Sequence, residues 1–337
     1  MEYDYSALNR RPTKIEVENL ENRYALSNAV SGGLAQFVLL IIGVIMIVLM
    51  VQVVSNAKTV EAAVIGGLVV GGFIAGIVGM FVAMRMHKRN LAKLLAFTDA
   101  NKARLILNYR NPGYSGLIFD EGSSREISSA IVFPDGKELG NFKYVTGSGR
   151  NRSTRQWGYM RVPLVRRLPH MVLDAKANNI LRSRFSNLPD ALGGNVVVSL
   201  EGNFNDFFTL YVPKGYETDA LYVFTPDVMA AIIDHGTMYD IEVVDDAVYF
   251  YAHNSHKLTS EAHIKKMLSI VQAISSELLA QSDYYADYRV ENRTINRIDS
   301  AGRRLKSRIG IGTIIGTIIL VLFYMAWEIL PLFFSDN

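Results

Sequence analysis

The chain reads as an α+β protein in which three transmembrane helices, two N-terminal and one C-terminal, enclose a cytoplasmic domain of mainly antiparallel sheet and packed helices. Three observations lead there. Three uncharged apolar runs of roughly 20 residues are each long enough to cross a ~30 Å hydrocarbon core at about 1.5 Å per residue. Between the second and third runs, short stretches rich in branched and aromatic residues alternate with turn chemistry such as Asn111-Pro112-Gly113 and Pro134-Asp135-Gly136. Those strands come in runs rather than alternating with helices, which is the order of an α+β domain and not of a doubly wound one.

The tail over residues 1–33 is polar before any apolar run begins, so a retained tail is expected rather than a cleaved signal. Thr13 and Glu16, after Pro12, have capping-box spacing and predict a short helix. The apolar runs follow at Leu34–Val54, Ala62–Met84 and Ile309–Ile329, and only Glu61 and Glu328, at the edges, are charged. Nothing in them marks an ion path. Arg10, Arg11, Lys14 and Arg23 precede the first run, whereas Lys58 is the one cation in the turn before the second. Arg85, Lys88, Arg89 and Lys93 follow the second, and Arg303, Arg304, Lys306 and Arg308 precede the third. Because cytoplasmic flanks carry the excess of Lys and Arg, the tail and the block 85–308 are expected inside, with the turn and the tail 330–337 outside.

The 34–84 hairpin carries a second signal. Ala63, Gly67, Gly71, Ala75 and Gly79 repeat every four residues, and Gly312 and Gly316 repeat that spacing in the third run. Small residues so spaced let helices approach closely, either within one chain or between copies in a homo-oligomer.

The block 85–308 divides by charge. A basic part, 85–184, holds nineteen Lys and Arg against seven Asp and Glu; an acidic part, 185–288, holds four against fifteen; a basic linker, 289–308, holds seven against two. Either the basic parts lie against anionic phospholipids of the inner leaflet, or the two signs pack and neutralise each other. The chain has no cysteine, which excludes disulfides, thiolate nucleophiles and cysteine-ligated metal centres.

In order, the block predicts a helix continuing past Leu91, Leu94 and Leu95, then strands over 104–109, 116–119, 130–133, 141–146, 157–162, 196–200 and 207–212. A helix is predicted over 226–235, with Thr225 as cap and Pro226 at its first position. A hairpin turning at Asp245 and Asp246 comes next, then an amphipathic helix through Ile264, Met267, Leu268, Val271, Ile274 and Leu278. A polar helix over 284–308 is expected to return the chain to the membrane.

No stretch has the spacing of a cofactor or metal motif, so no cofactor is expected. His170 and Asp174 are the candidate acid–base pair, although strand alternation puts them two pleats apart on one face. His253, His256 and His263 lack a carboxylate at ligand spacing. The loop Gly147–Arg155 has the composition of an anion binder, with Arg150, Arg152 and Arg155 able to fork onto phosphates, but matches neither a P-loop nor a Rossmann loop. Phospholipid head groups suit it best, and nucleic acid is disfavoured by the acidic part that follows.

The segments Leu200–Phe204, Tyr222–Asp227 and Asp240–Asp246, within about residues 168–251, resemble an uncharacterised family of bacterial membrane-anchored proteins of unknown function. That resemblance implies a bacterial inner membrane and assigns no residue a role. The sequence therefore predicts a doubly tethered module that interacts with a protein partner or a lipid surface. The alternative is a membrane-bound hydrolase using His170, Asp174 or the Arg150–Arg155 loop.

Overall fold

The computed structural model describes residues 3–24, 41, 43–45, 47–48, 51–52, 55, 60–179, 192, 195–292 and 294–305. The chain separates into two compact units, one of Met1–Leu105 with Thr259–Glu261, the other of Ile106–Leu258 with Ala262–Asn337.

In the first unit, helices α1 (Ser6–Asn9) and α2 (Lys14–Tyr24) pack on the end of a long helix, α3 (Val60–Ala100). The capping box forms: the Glu16 amide donates to Thr13 Oγ1 at 3.2 Å and the Thr13 amide to Glu16 Oε2 at 2.7 Å. Leu8, Leu20, Leu94, Leu95 and Phe97 are buried together, and Lys93 donates to the Leu8 carbonyl at 2.9 Å. The rest of α3 differs. Over Gly66–Ala100 it is long and apolar enough to cross a membrane, and its most apolar window is wholly uncovered. The first apolar run lies largely, and the third wholly, outside the described residues.

The second unit is built on one nine-stranded sheet. Its strands are β1 (Arg104–Arg110), β2 (Ser123–Val132), β3 (Glu138–Thr146), β4 (Ser153–Pro163), β5 (Met171–Ala175), β6 (Val196–Val198), β7 (Phe208–Val212), β8 (Asp240–Val244) and β9 (Ala247–Ala252), in the order β1-β2-β3-β4-β9-β8-β5-β7-β6. Every pairing from β2 to β6 is antiparallel, so the mixed α+β class holds. The helices are α4 (Phe204–Phe207), α5 (Glu217–Val223), α6 (Pro226–Gly236) and α7 (Glu261–Ser282). Thr225 caps α6 by accepting from the Val228 amide at 3.4 Å.

Both faces of the central strands are covered, which explains why β5, β8 and most of β9 are buried at every position. On one face, the helix positions Ile264, Met267, Val271 and Ile274 are buried, and a Cβ on Gly236 would lie 3.0 Å from Ile274 and 3.6 Å from Ile241 of β8. On the other, Phe119 is the hub: its ring centroid lies 4.7 Å from Phe142 and 5.2 Å from both Tyr159 and Tyr249. That aromatic cluster is the core over which the functional residues are hung.

Two predicted elements are corrected. Residues 116–119 form a turn, not a strand, with the Phe119 and Asp120 amides both donating to the Gly116 carbonyl at 3.0 Å. Gly116 adopts φ +145°, and an added Cβ would lie 2.7 Å from Tyr251 Oη and 3.0 Å from Glu242 Oε2; only glycine lets the turn descend onto those groups. The stretch 284–305 is not a helix. Its polar side chains capture backbone amides that a helix would need, as when Asp287 accepts from the amides of Arg289 and Asp299 at 3.0 Å each. A single 3-10 turn, Ser300–Gly302, remains, capped by Asp299.

Candidate functional site

His170 leads into β5 and Glu242 sits in β8, whose register pairs Val172 with Glu242. This brings His170 Nε2 to 2.6 Å from Glu242 Oε1. The Leu305 amide donates to His170 Nδ1 at 2.9 Å. An amide can only donate, so Nδ1 is the acceptor and the ring proton sits on Nε2, facing the carboxylate. Glu242 Oε2 accepts from Tyr251 Oη at 2.6 Å and from the Leu117 amide at 2.8 Å. A carboxyl group with no exposed surface is thus held by three donors. Burial beside that carboxyl pushes the Tyr251 hydroxyl well above the usual tyrosine range.

The same face holds a second buried acid. Glu138 accepts from Tyr159 and, at 2.7 Å, from Tyr114. A third arrangement ties down the C-terminal stretch: Arg289 donates to Asp219 Oδ2 at 2.9 Å and Asp287 Oδ1 at 3.1 Å, its guanidinium 3.8 Å from the Tyr216 ring centre. Although burial works against its charged form, those carboxylates raise the Arg289 pKa further. The His170 amide also donates to the Gly302 carbonyl at 2.9 Å, and the Arg167 amide to Asn296 at 2.7 Å. The chain is therefore stitched into the domain up to Leu305, four residues before the third apolar run.

The predicted residues fall in different places. His170 partners Glu242 rather than Asp174, which is buried on β5 opposite Thr209 of β7. Arg150, Arg152 and Arg155 lie in and beside the turn joining β3 to β4; all three are exposed, and none has a hydrogen-bond or ion-pair partner among the described residues. The structure brings Arg152 together with Arg110, Arg125 and Lys143 around a groove of about 490 Å³, where Glu126 is the acid present. Glu126 is engaged by Lys143 at 3.0 Å and Arg110 at 3.6 Å. Sequence reasoning missed Arg110, Arg125 and Lys143 because β1, β2 and β3 contribute them from separate stretches. Glu242 was missed because strand alternation alone gives a polar position to solvent.

His256 Nδ1 and His263 Nε2 lie 3.0 Å apart, and among the described residues no group of three metal-ligating side chains includes them. Burial, and then the nearby His263, lowers the His256 pKa to about 3. Burial, and then Lys266 and Lys257, also lower the half-buried His263, so the contact disfavours a charge on either ring.

On α3, Gly67, Gly71 and Gly79 are exposed, and a Cβ added at any of them meets nothing within 4 Å. A Cβ on Gly43 of the first run would instead lie 2.8 Å from Ile77 and 3.5 Å from Phe73. At about 100° per residue, Phe73 and Ile77 lie on the side of the helix opposite Gly71 and Ala75. Gly312 and Gly316 lie outside the described residues.

No protein family matches this chain, and neither does any curated protein or solved structure. Function rests on the chain's own geometry.

Proposed function

We propose that this chain is a multi-pass protein of the bacterial inner membrane, spanning it at 34–54, 62–84 and 309–329. Its N-terminal tail and its α+β domain, 85–308, lie on the cytoplasmic side, and the tail 330–337 lies outside. The domain is an interaction module for the anionic phospholipid surface. One observation carries this reading: the groove lined by Arg110, Arg125, Lys143 and Arg152, whose single carboxylate is already engaged. Each cation near an anionic leaflet contributes on the order of 1 kcal/mol, screened by salt.

A hydrolase built on His170 and Asp174 draws less support. Both ring nitrogens of His170 are occupied within the protein, so the residue offers a substrate neither a free base nor a free proton. The ridge of Gly67, Gly71 and Gly79 serves the third span or a second copy, since Gly43 of the first run meets the opposite side of the helix.

The test is hydrogen exchange on the full chain in nanodiscs of phosphatidylcholine with and without phosphatidylglycerol. The β3–β4 turn should gain protection with the anionic lipid, lose it at high salt, and lose it in Arg110→Glu/Arg152→Glu. Protection indifferent to lipid charge would overturn the lipid-surface reading in favour of a protein partner.

A further inference from the structure

We propose that a second cleft, between the Gly113–Ser115 segment and Arg303–Arg304, is a binding site for a phosphate group carried on a small organic or lipid moiety. The cleft encloses about 600 Å³, within the ordinary range for ligand pockets and roomier than a bare anion needs. Four arginines line it, Arg161, Arg167, Arg303 and Arg304, with two carboxylates, Asp245 and Asp246.

Both acids are already in use. Arg304 forks onto Asp245 at 3.1 and 2.7 Å, and a terminal nitrogen of Arg161 lies 3.5 Å from Asp246. The donors are not. Among the described residues the Arg167 guanidinium makes no hydrogen bond or ion pair, its charge acting on Asp245 only from a distance, and Arg303 spends only its Nε, on the Ile298 carbonyl at 3.0 Å. Arg161 Nε is buried without a hydrogen-bond partner. The Tyr249 hydroxyl, buried beside the Arg161 guanidinium, lines the same cleft.

The cleft thus offers a surplus of donors and of positive charge, so its occupant must bring acceptors and negative charge. A carboxylate supplies two oxygens. A phosphate supplies three or more around one centre, with the fork geometry that guanidinium groups match, and so satisfies more of these donors at once. The source follows only if the proposed membrane topology holds: Arg304 stands five residues before Ile309, a chain length that reaches no farther than about 18 Å, within range of a head group.

The experiment uses the full chain in neutral detergent, titrated with inorganic phosphate, sn-glycerol 3-phosphate and dioctanoyl phosphatidic acid and followed by calorimetry. At least one probe should bind saturably. Arg167→Gln/Arg303→Gln, which removes guanidinium nitrogens outside any hydrogen bond and one half-buried bond to the Ile298 carbonyl, should weaken it roughly tenfold or more. Tyr249→Phe should weaken it less and leave the thermal midpoint in place. Binding of all three probes assigns a phosphate site indifferent to lipid, and binding of phosphatidic acid alone assigns a head-group site. No saturable binding overturns the proposal. So does binding that survives Arg167→Gln/Arg303→Gln but is lost in Arg110→Glu/Arg152→Glu, a result that would leave the proposed function standing.

Discussion

Replacing Glu242 by Gln changes one oxygen to an amide and keeps the shape, so its cost reports the hydrogen-bond network alone. The remaining oxygen can still accept from Tyr251 Oη and the Leu117 amide, which converge on Oε2. The new NH₂ then faces the Nε2 proton of His170, where 2.6 Å now separates acceptor and donor. Moving the ring proton to Nδ1 does not help, because the Leu305 amide already points there at 2.9 Å. Every arrangement leaves two donors facing each other. A hydrogen bond to a charged group contributes about 1.5–3 kcal/mol, and an orphaned buried donor costs a further ~1–3 kcal/mol. Glu242→Gln should therefore destabilise the domain by about 2–4 kcal/mol in urea unfolding of the detergent-solubilised chain, and the Leu305 amide should lose exchange protection. Adding His170→Leu to this variant should cost less than His170→Leu alone, since the two share one network. A loss under about 0.5 kcal/mol, or additive effects, would refute the reasoning.

Phe119→Ala removes the hub of the aromatic cluster and should cost about 3–5 kcal/mol, read from the same urea curves. The His256 pKa is depressed in the folded state, so the stability it contributes is complete above the unfolded value of 6.5 and is lost as pH falls toward about 3. One such proton gives a slope of about 1.4 kcal/mol per pH unit. The protein should be about 2 kcal/mol less stable at pH 5 than at pH 7.5, and His256→Leu should flatten that slope. The lowered carboxyls Asp245 and Asp287 titrate below this window, whereas the neighbouring His263, lowered by burial and then by Lys266 and Lys257, titrates within it and adds to the slope in the same direction, so some slope remains in His256→Leu. If the α3 ridge faces a second copy, Gly71→Cys should cross-link between chains in the membrane while Phe73→Cys does not. Equal yields at both positions would remove the ridge as an interface.

Local pattern carried the reading where the physics is local. The Thr225 cap, the Asp245–Asp246 turn and the periodicity of Ile264 through Leu278 each lie within one element and appear as expected. The failures involve partners distant in sequence. Glu242 looks like a solvent-facing strand position until the Gly116 turn, more than a hundred residues away, covers it. The 284–305 stretch has a helix-compatible composition, but Asp287 engages Tyr216 at 2.7 Å and Arg289 reaches Asp219 at 2.9 Å, contacts that local propensity does not contain. Arg110, Arg125 and Lys143 meet through strand order, whereas Arg303 and Arg304 join Arg161 and Arg167 because the C-terminal stretch is tied back onto the domain.

The topology underlies the proposed function, and the absence of native cysteine makes it directly measurable. Single cysteines placed at Lys58, Ser148 and Ser335 can be challenged with a membrane-impermeant maleimide in intact bacterial cells. The account predicts that Lys58→Cys and Ser335→Cys react from outside, whereas Ser148→Cys, in the β3–β4 turn, reacts only after lysis. Labelling of Ser148→Cys in intact cells, or protection of Ser335→Cys, would contradict it.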